Sequence, residues 1–179
     1  MAAIAEESGV SLKTVYVAFE TKSGVLRALW NFLLRGDQEE IPVGERPWYR
    51  EVVEEPDPAR VVRLTAKNSR MVKERAGAVM AVIRSAAPLD PDIADLWGRI
   101  QSDFHANQRG IVEALSKRKA LRRGLTVERA SDILWTLNHP DVWHLLVGER
   151  GWTPEQWERW FEATMAAQLL RAGNPGEDQ

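Results

Sequence analysis

The 179 residues contain no cysteine, which excludes disulfides, thiolate metal sites and a thiol nucleophile. No apolar run approaches the roughly 18 residues that span a bilayer, and no signal peptide is visible. A basic excess is missing too: 24 Lys and Arg stand against 26 Asp and Glu, for a net charge of -2. Contact with nucleic acid therefore has to be local. The chain has no Gly-rich phosphate loop, no persistent strand alternation and no internal repeat. Its three histidines are His105, His139 and His144. The last two are five apart across Pro140, which is poor same-face spacing, so no metal site is expected. With no catalytic constellation in view, neither enzymatic activity nor a cofactor is expected. The aromatic C-terminal segment carries Glu155, Glu158, Arg159 and Glu162 and so has no basic face for a membrane surface. What remains is an ordinary globular composition, 44% hydrophobic and 28% charged, that fits a cytoplasmic protein.

Helical punctuation runs the length of the chain and predicts an all-α fold. A short Ala-rich helix ends at Ser8, where Gly9 suits a left-handed closing residue. Ser11 caps a second helix with Leu12, Val15 and Phe19 as its apolar positions, and Thr21 caps a third that runs to about Arg35. From Gly36 to Pro58, glycine, proline and acids dominate. Within that stretch Trp48, Val52 and Val53 suggest a short helix over the core. A long helix follows from Asp57 to about Ala87, with Val61, Leu64, Asn68, Val72, Ala76, Val79 and Ile83 predicted to face inward. Asp90 before Pro91 starts the next helix, which ends in the basic cluster Lys117–Lys119, favourable at a helix C-terminus. Thr126 opens a further helix, Pro140 restarts it, and Thr153-Pro154-Glu155-Gln156 is a complete capping box for the last one.

Two short helices joined at a glycine, the second with small, polar and aromatic side chains between its apolar positions, make a helix-turn-helix pattern. Ile4-Ala5-Glu6-Glu7, Gly9-Val10-Ser11, Thr14-Val15-Tyr16, Phe19, Lys22 and Leu26 resemble the TetR family of transcription regulators. The spacing Tyr-x-x-Phe-x-x-Lys-x-x-x-Leu is the most diagnostic part. The resemblance covers about a sixth of the chain; beyond it, length and helical layout agree. It implies a DNA-binding head at 1–35 with its connecting helix, a linker at 36–56, a ligand-binding and dimerisation body at 57–173, and a disordered tail at 174–179. The family's first helix is missing, so the head is expected to be truncated. Gly24 also departs from the acidic residue common there in the family.

The resemblance sends the second helix into the DNA major groove. The expected DNA-binding residues are Ser11, Lys13, Thr14, Tyr16, Val17 and Lys22. Lys22 opens the third helix, where free backbone N–H groups and an ammonium converge on a phosphate. Residues 1–35 carry a net charge of only +1 (Lys13, Lys22, Arg27 and Arg35 against Glu6, Glu7 and Glu20), so binding should be modest and salt-sensitive. An effector pocket is expected among Asn68, Met71, Met80, Trp97, Phe104, His105, Trp135 and Trp143, apolar with a few polar groups. Trp157, Trp160, Phe161, Met165 and Leu169 are expected to pair two copies. The implied partners are thus a double-stranded DNA operator, a small-molecule effector and a second copy of the chain. The implied activity is that of a repressor released from a pseudo-palindromic operator by the effector. The alternative is an all-helical small-molecule-binding protein that does not bind DNA.

Overall fold

The computed structural model describes residues 1–35 and 41–171 and is all-helical. Residues 36–40 of the expected linker and the expected tail at 174–179 lie outside the described residues. Nine α-helices are described: α1 (Ala2–Ser8), α2 (Leu12–Phe19), α3 (Lys22–Arg35), α4 (Pro47–Glu54), α5 (Pro58–Ala86), α6 (Pro91–Lys117), α7 (Val127–Leu137), α8 (Pro140–Trp143) and α9 (Pro154–Leu169). A 3-10 turn, Ala87–Leu89, separates α5 from α6, and a π-helical segment, His144–Glu149, follows α8. No described helix is long and apolar enough to cross a membrane.

The predicted stops and starts are made by the expected groups. Gly9 takes φ 68°, and the Gly9 and Val10 N–H groups donate to the carbonyls of Glu6 (3.2 Å) and Ala5 (3.1 Å), closing α1. Ser11 Oγ accepts from Thr14 N at 3.0 Å, and Asp90 Oδ1 accepts from Asp92 N at 3.0 Å. At α9 both halves of the capping box form: Gln156 N donates to Thr153 Oγ1 (3.2 Å), and Thr153 N to Gln156 Oε1 (2.8 Å). Arg118, in the basic cluster, donates to the carbonyls of Ala114 (2.5 Å) and Val53 (2.9 Å), so this cation satisfies one carbonyl at the end of α6 and one at the end of α4.

The helices form two compact units that cut across α5 and α6. One comprises Met1–Glu39 and Arg75–Ile100, the other Glu40–Glu74 and Gln101–Gln179. The first unit is built on Trp30, Ala76, Val79, Met80, Ile83, Ile93, Leu96 and Ile100. Arg75 Nη2 donates to the Leu34 carbonyl at 3.3 Å, holding the end of α3 to α5. The second unit packs Val52, Val61, Val62, Ala66, Val112, Leu115, Leu134, Trp157, Phe161, Met165 and Leu169 into one fully buried core. The short helix expected around Trp48 forms as α4. Its Tyr49 hydroxyl donates to the Asn107 carbonyl at 2.7 Å.

The inward face of α5 is rotated from the expected one. Val61, Ala76, Val79 and Ile83 are buried as predicted, but Leu64, Asn68 and Val72 are only half-buried. Their places are taken by Val62, Thr65, Ala66, Ser69 and Lys73. The polar groups among them are satisfied inside: Thr65 Oγ1 donates to the Val61 carbonyl at 2.7 Å, Ser69 Oγ accepts from Asn138 at 2.9 Å, and Lys73 donates to Asn138.

Gly24 occupies the first turn of α3 for a steric reason. Its N–H donates to Thr21 Oγ1 at 3.0 Å, and a Cβ there would lie 2.0 Å from the Phe19 carbonyl oxygen. Gly24→Ala is expected to cost about 1–3 kcal/mol, whereas Thr153→Ala, which removes a cap, should cost about 1 kcal/mol. Thermal unfolding followed by circular dichroism checks both. A Gly24→Ala variant as stable as the parent would show that the α2–α3 turn relaxes freely.

Candidate nucleic-acid interface and a buried polar cluster

Helix α2 has eight residues and one anchor. Val15 is buried, as is Ala5 on α1, and these two hold the short pair together. Side chains at i and i+3 or i+4 share a helix face, so Lys13, Thr14, Tyr16 and Val17 form one continuous patch away from Val15. All four are exposed, Tyr16 at 49% and Val17 at 75%. Ser11 is exposed at the start of the helix, where its Oγ both caps and lies 2.8 Å from Thr14 Oγ1. Lys22, the first residue of α3, is exposed beside the Thr21 and Ser23 hydroxyls, themselves 2.8 Å apart. All six expected DNA-contacting residues are therefore exposed. Three quarters of the Val17 surface and half of the Tyr16 surface are therefore left uncovered by the described residues.

The expected pocket residues are divided between the two units. Met80 and Trp97 belong to the core of the first unit. Asn68, Met71, Phe104, His105, Trp135 and Trp143 belong to the second, and all six are half-buried. Asn68 is committed to structure, donating to the Trp48 carbonyl at 2.9 Å. His105 Nε2 lies 3.2 Å from Asp132 Oδ1, and Trp135 stands edge-on to His105 and His139, at 6.4 and 4.9 Å between ring centroids.

The expected pairing surface requires a correction. Trp157, Phe161, Met165 and Leu169 are fully buried in the chain's own core. Spaced four residues apart, they line one face of α9, and a side chain with no exposed surface cannot contact a second copy. Of the five, only Trp160 retains surface; it packs edge-on to Trp152 at 6.2 Å.

The interior of the second unit holds a polar cluster that the sequence pattern missed. Lys73 Nζ is buried, donates to Asn138 Oδ1, and sits 4.6 Å from the centroid of the Trp157 ring. Asn138 in turn donates through Nδ2 to Ser69 Oγ (2.9 Å) and Gln108 Oε1 (3.1 Å). Ser69, Lys73, Gln108 and Asn138 are all buried. A signal was present: Lys73 falls on the three- and four-residue steps Ala66, Ser69, Lys73, Ala76, Met80, Ile83. Reading lysine as a surface residue hid it.

Burial pushes the Lys73 pKa down to about 7 from 10.5. No carboxylate forms an ion pair with it among the described residues, so no opposite charge offsets the loss of hydration. In the unfolded chain the amine titrates at its ordinary value. Between pH 7 and 10.5 the unfolded state therefore binds more protons, and stability rises with pH by up to about 1.4 kcal/mol per unit. Below pH 7 the amine is charged in both states and the penalty is constant; above 10.5 it is neutral in both and the penalty vanishes. Lys73→Met is thus expected to raise the unfolding midpoint at pH 7 and to converge on the parent near pH 10. Denaturant melts at the two pH values check this, and an equal effect at both would refute the assigned cause.

Comparison with models of known protein families gives no match to the chain, and comparison with curated proteins gives none either.

Proposed function

We propose that this chain is a ligand-responsive, DNA-binding transcription regulator, acting as a homodimeric repressor. The observation that carries the reading is the exposed patch Lys13, Thr14, Tyr16 and Val17 on α2, in a helix-turn-helix arrangement whose joint is the left-handed Gly9. An α-helix fits the major groove of B-form DNA. There Lys13 can donate to guanine O6 or N7, and the Val17 methyl groups can meet a thymine methyl. Ser11, Thr14, Tyr16 and Lys22 supply donors of the kind that fix a protein on phosphates. Two copies related by a two-fold axis would read two half-sites of a pseudo-palindrome. An effector bound in the helical body would favour one arrangement of α3 and weaken the fit to the operator, which requires that it bind the two arrangements with different affinity. A second reading, a helical small-molecule-binding protein without DNA affinity, is favoured by the Lys73 cluster, a polar interior that DNA contact alone does not require.

Fluorescence anisotropy of the full chain with duplexes spanning its own promoter, at two salt concentrations, separates the two. The regulator reading expects saturable, sequence-selective binding at two chains per site. Tyr16→Ala should abolish selective binding. Lys22→Ala should weaken binding to all sequences alike and reduce the salt slope by about 1. Sequence-indifferent binding that neither substitution alters would leave the second reading in place.

A further inference from the structure

We propose that the Ser69–Lys73–Gln108–Asn138 cluster is the recognition point for an organic acid, whose carboxylate pairs with the Lys73 ammonium while its apolar body lies toward the half-buried Trp143 and the π-helical segment that follows it. The inference rests on the reading that the helical body binds a small molecule, and it names the chemical class.

The argument is one of donors and acceptors. A protonated lysine has three N–H donors and no acceptor. Here Asn138 Oδ1 takes one, the Trp157 ring face lies 4.6 Å away, and no further partner stands among the described residues. The indole Nε1 of Trp157 is buried without an acceptor, and so is that of Trp135, three residues before Asn138. Asn138 has both amide hydrogens committed, to Ser69 and Gln108. The interior is therefore short of acceptors and holds one unpaired cation. An oxyanion supplies both missing features, because a carboxylate is acceptor-only and negatively charged.

Several acids on the surrounding elements are engaged elsewhere. Glu74 on α5 and Glu155 and Glu158 on α9 pair with Arg70, at 4.0, 2.5 and 2.7 Å. On α6, Glu113 pairs with Arg109. On α7 and α8, Asp132 lies against His105 and Asp141 against His139. None forms an ion pair with Lys73.

A second observation marks the same place. Trp143 stands edge-on to Trp157 with ring centroids 5.0 Å apart, and it is the last residue before the backbone passes from α to π geometry at His144–Glu149. A six-residue π stretch is uncommon, and such segments recur at functional sites. None of its residues is buried, so the unusual backbone borders the cluster's aromatic wall and also faces solvent.

The test uses phenylacetate and decanoate, with phenylacetamide and decanamide as uncharged partners, titrated into the full chain by calorimetry at pH 8 in buffers of different ionisation enthalpy. Quenching of tryptophan fluorescence gives an independent binding curve. The expected result is saturable binding of at least one acid, at least tenfold tighter than its amide, with net proton uptake, because an amine that titrates near 7 is mostly neutral at pH 8. Proton uptake is read on the unaltered chain, so it does not depend on a variant that folds. Lys73→Met should lose the acid preference and the uptake together. Acids and amides that bind alike would leave a ligand-binding body and overturn the anionic assignment. No binding by any of the four would overturn it as well, and the DNA anisotropy of the same chain would then decide the regulator reading separately.

Discussion

The second unit depends on where the Trp157 ring lies. One contact is flat: Phe161 stacks on it at 4.9 Å and 10° between planes. One is edge-on, from Trp143 at 5.0 Å and 73°. A third is the Lys73 amine over the ring at 4.6 Å. Each brings a different element to the same side chain: α9 itself, the end of α8, and α5. The capping box at Thr153 and Gln156 fixes the first turn of α9 immediately before the ring, so local chemistry sets the direction in which the ring enters the core. Arg70, one turn from Lys73 on α5, reaches Glu155 and Glu158 on either side of Trp157 in the sequence. Such partly exposed ion pairs contribute little individually, but a pair that brackets the buried contact restricts how α5 and α9 can slide.

That arrangement explains which parts of the fold could be read from the residues alone. Termini were legible because caps are local. Gly9, Ser11, Asp90, Thr126 and Thr153 each act within three or four residues, and the structure uses each as expected. The face of α5 was legible at its ends and not in its middle. There the buried positions include Thr65 and Ser69, whose hydroxyls are hydrogen-bonded in the interior, which a hydrophobic pattern does not weigh. Lys73 was hidden for a related reason. A charged residue on an inward register normally signals a wrong register, and only the partners on α6, α7 and α9, distant in sequence, make its burial intelligible. For α9, the resemblance implies a surface between copies at Trp157, Trp160, Phe161, Met165 and Leu169, four of which are spaced by four. The same spacing serves an internal core equally well, and the choice depends on what the rest of the chain packs there.

The short helices at the N-terminus follow a different logic. With about eight residues each, neither α1 nor α2 is stable in isolation, and each offers a single buried residue, Ala5 and Val15. What defines their geometry is backbone chemistry. The left-handed Gly9 sets the angle between them, and Gly24 admits the Phe19 carbonyl where no Cβ fits. A helix held by turns rather than by a broad apolar face leaves most of its circumference free. That is why Tyr16 and Val17 are exposed, whereas the list of candidate DNA-contacting residues came from the resemblance of the motif.

On the proposed reading, the two ends of this argument meet on α5. Its residues are shared between the units: Lys73 belongs to the polar interior of the second, and Arg75, two residues on, to the first, where its guanidinium holds the Leu34 carbonyl at the end of α3. An unpaired amine buried at Lys73 lowers the stability of its surroundings at neutral pH. An anion that pairs with it binds the folded form alone, so it stabilises that form by mass action. The gain falls on the middle turns of α5, not on a distant loop. A regulator needs an element whose equilibrium responds to a ligand at one site and is felt at another. Lys73 and Arg75 lie within one turn of α5, so on this reading an anion at Lys73 would bear on the same stretch of helix that holds the end of α3. The cost of burying Lys73 would then be retained because removing it would also remove the response.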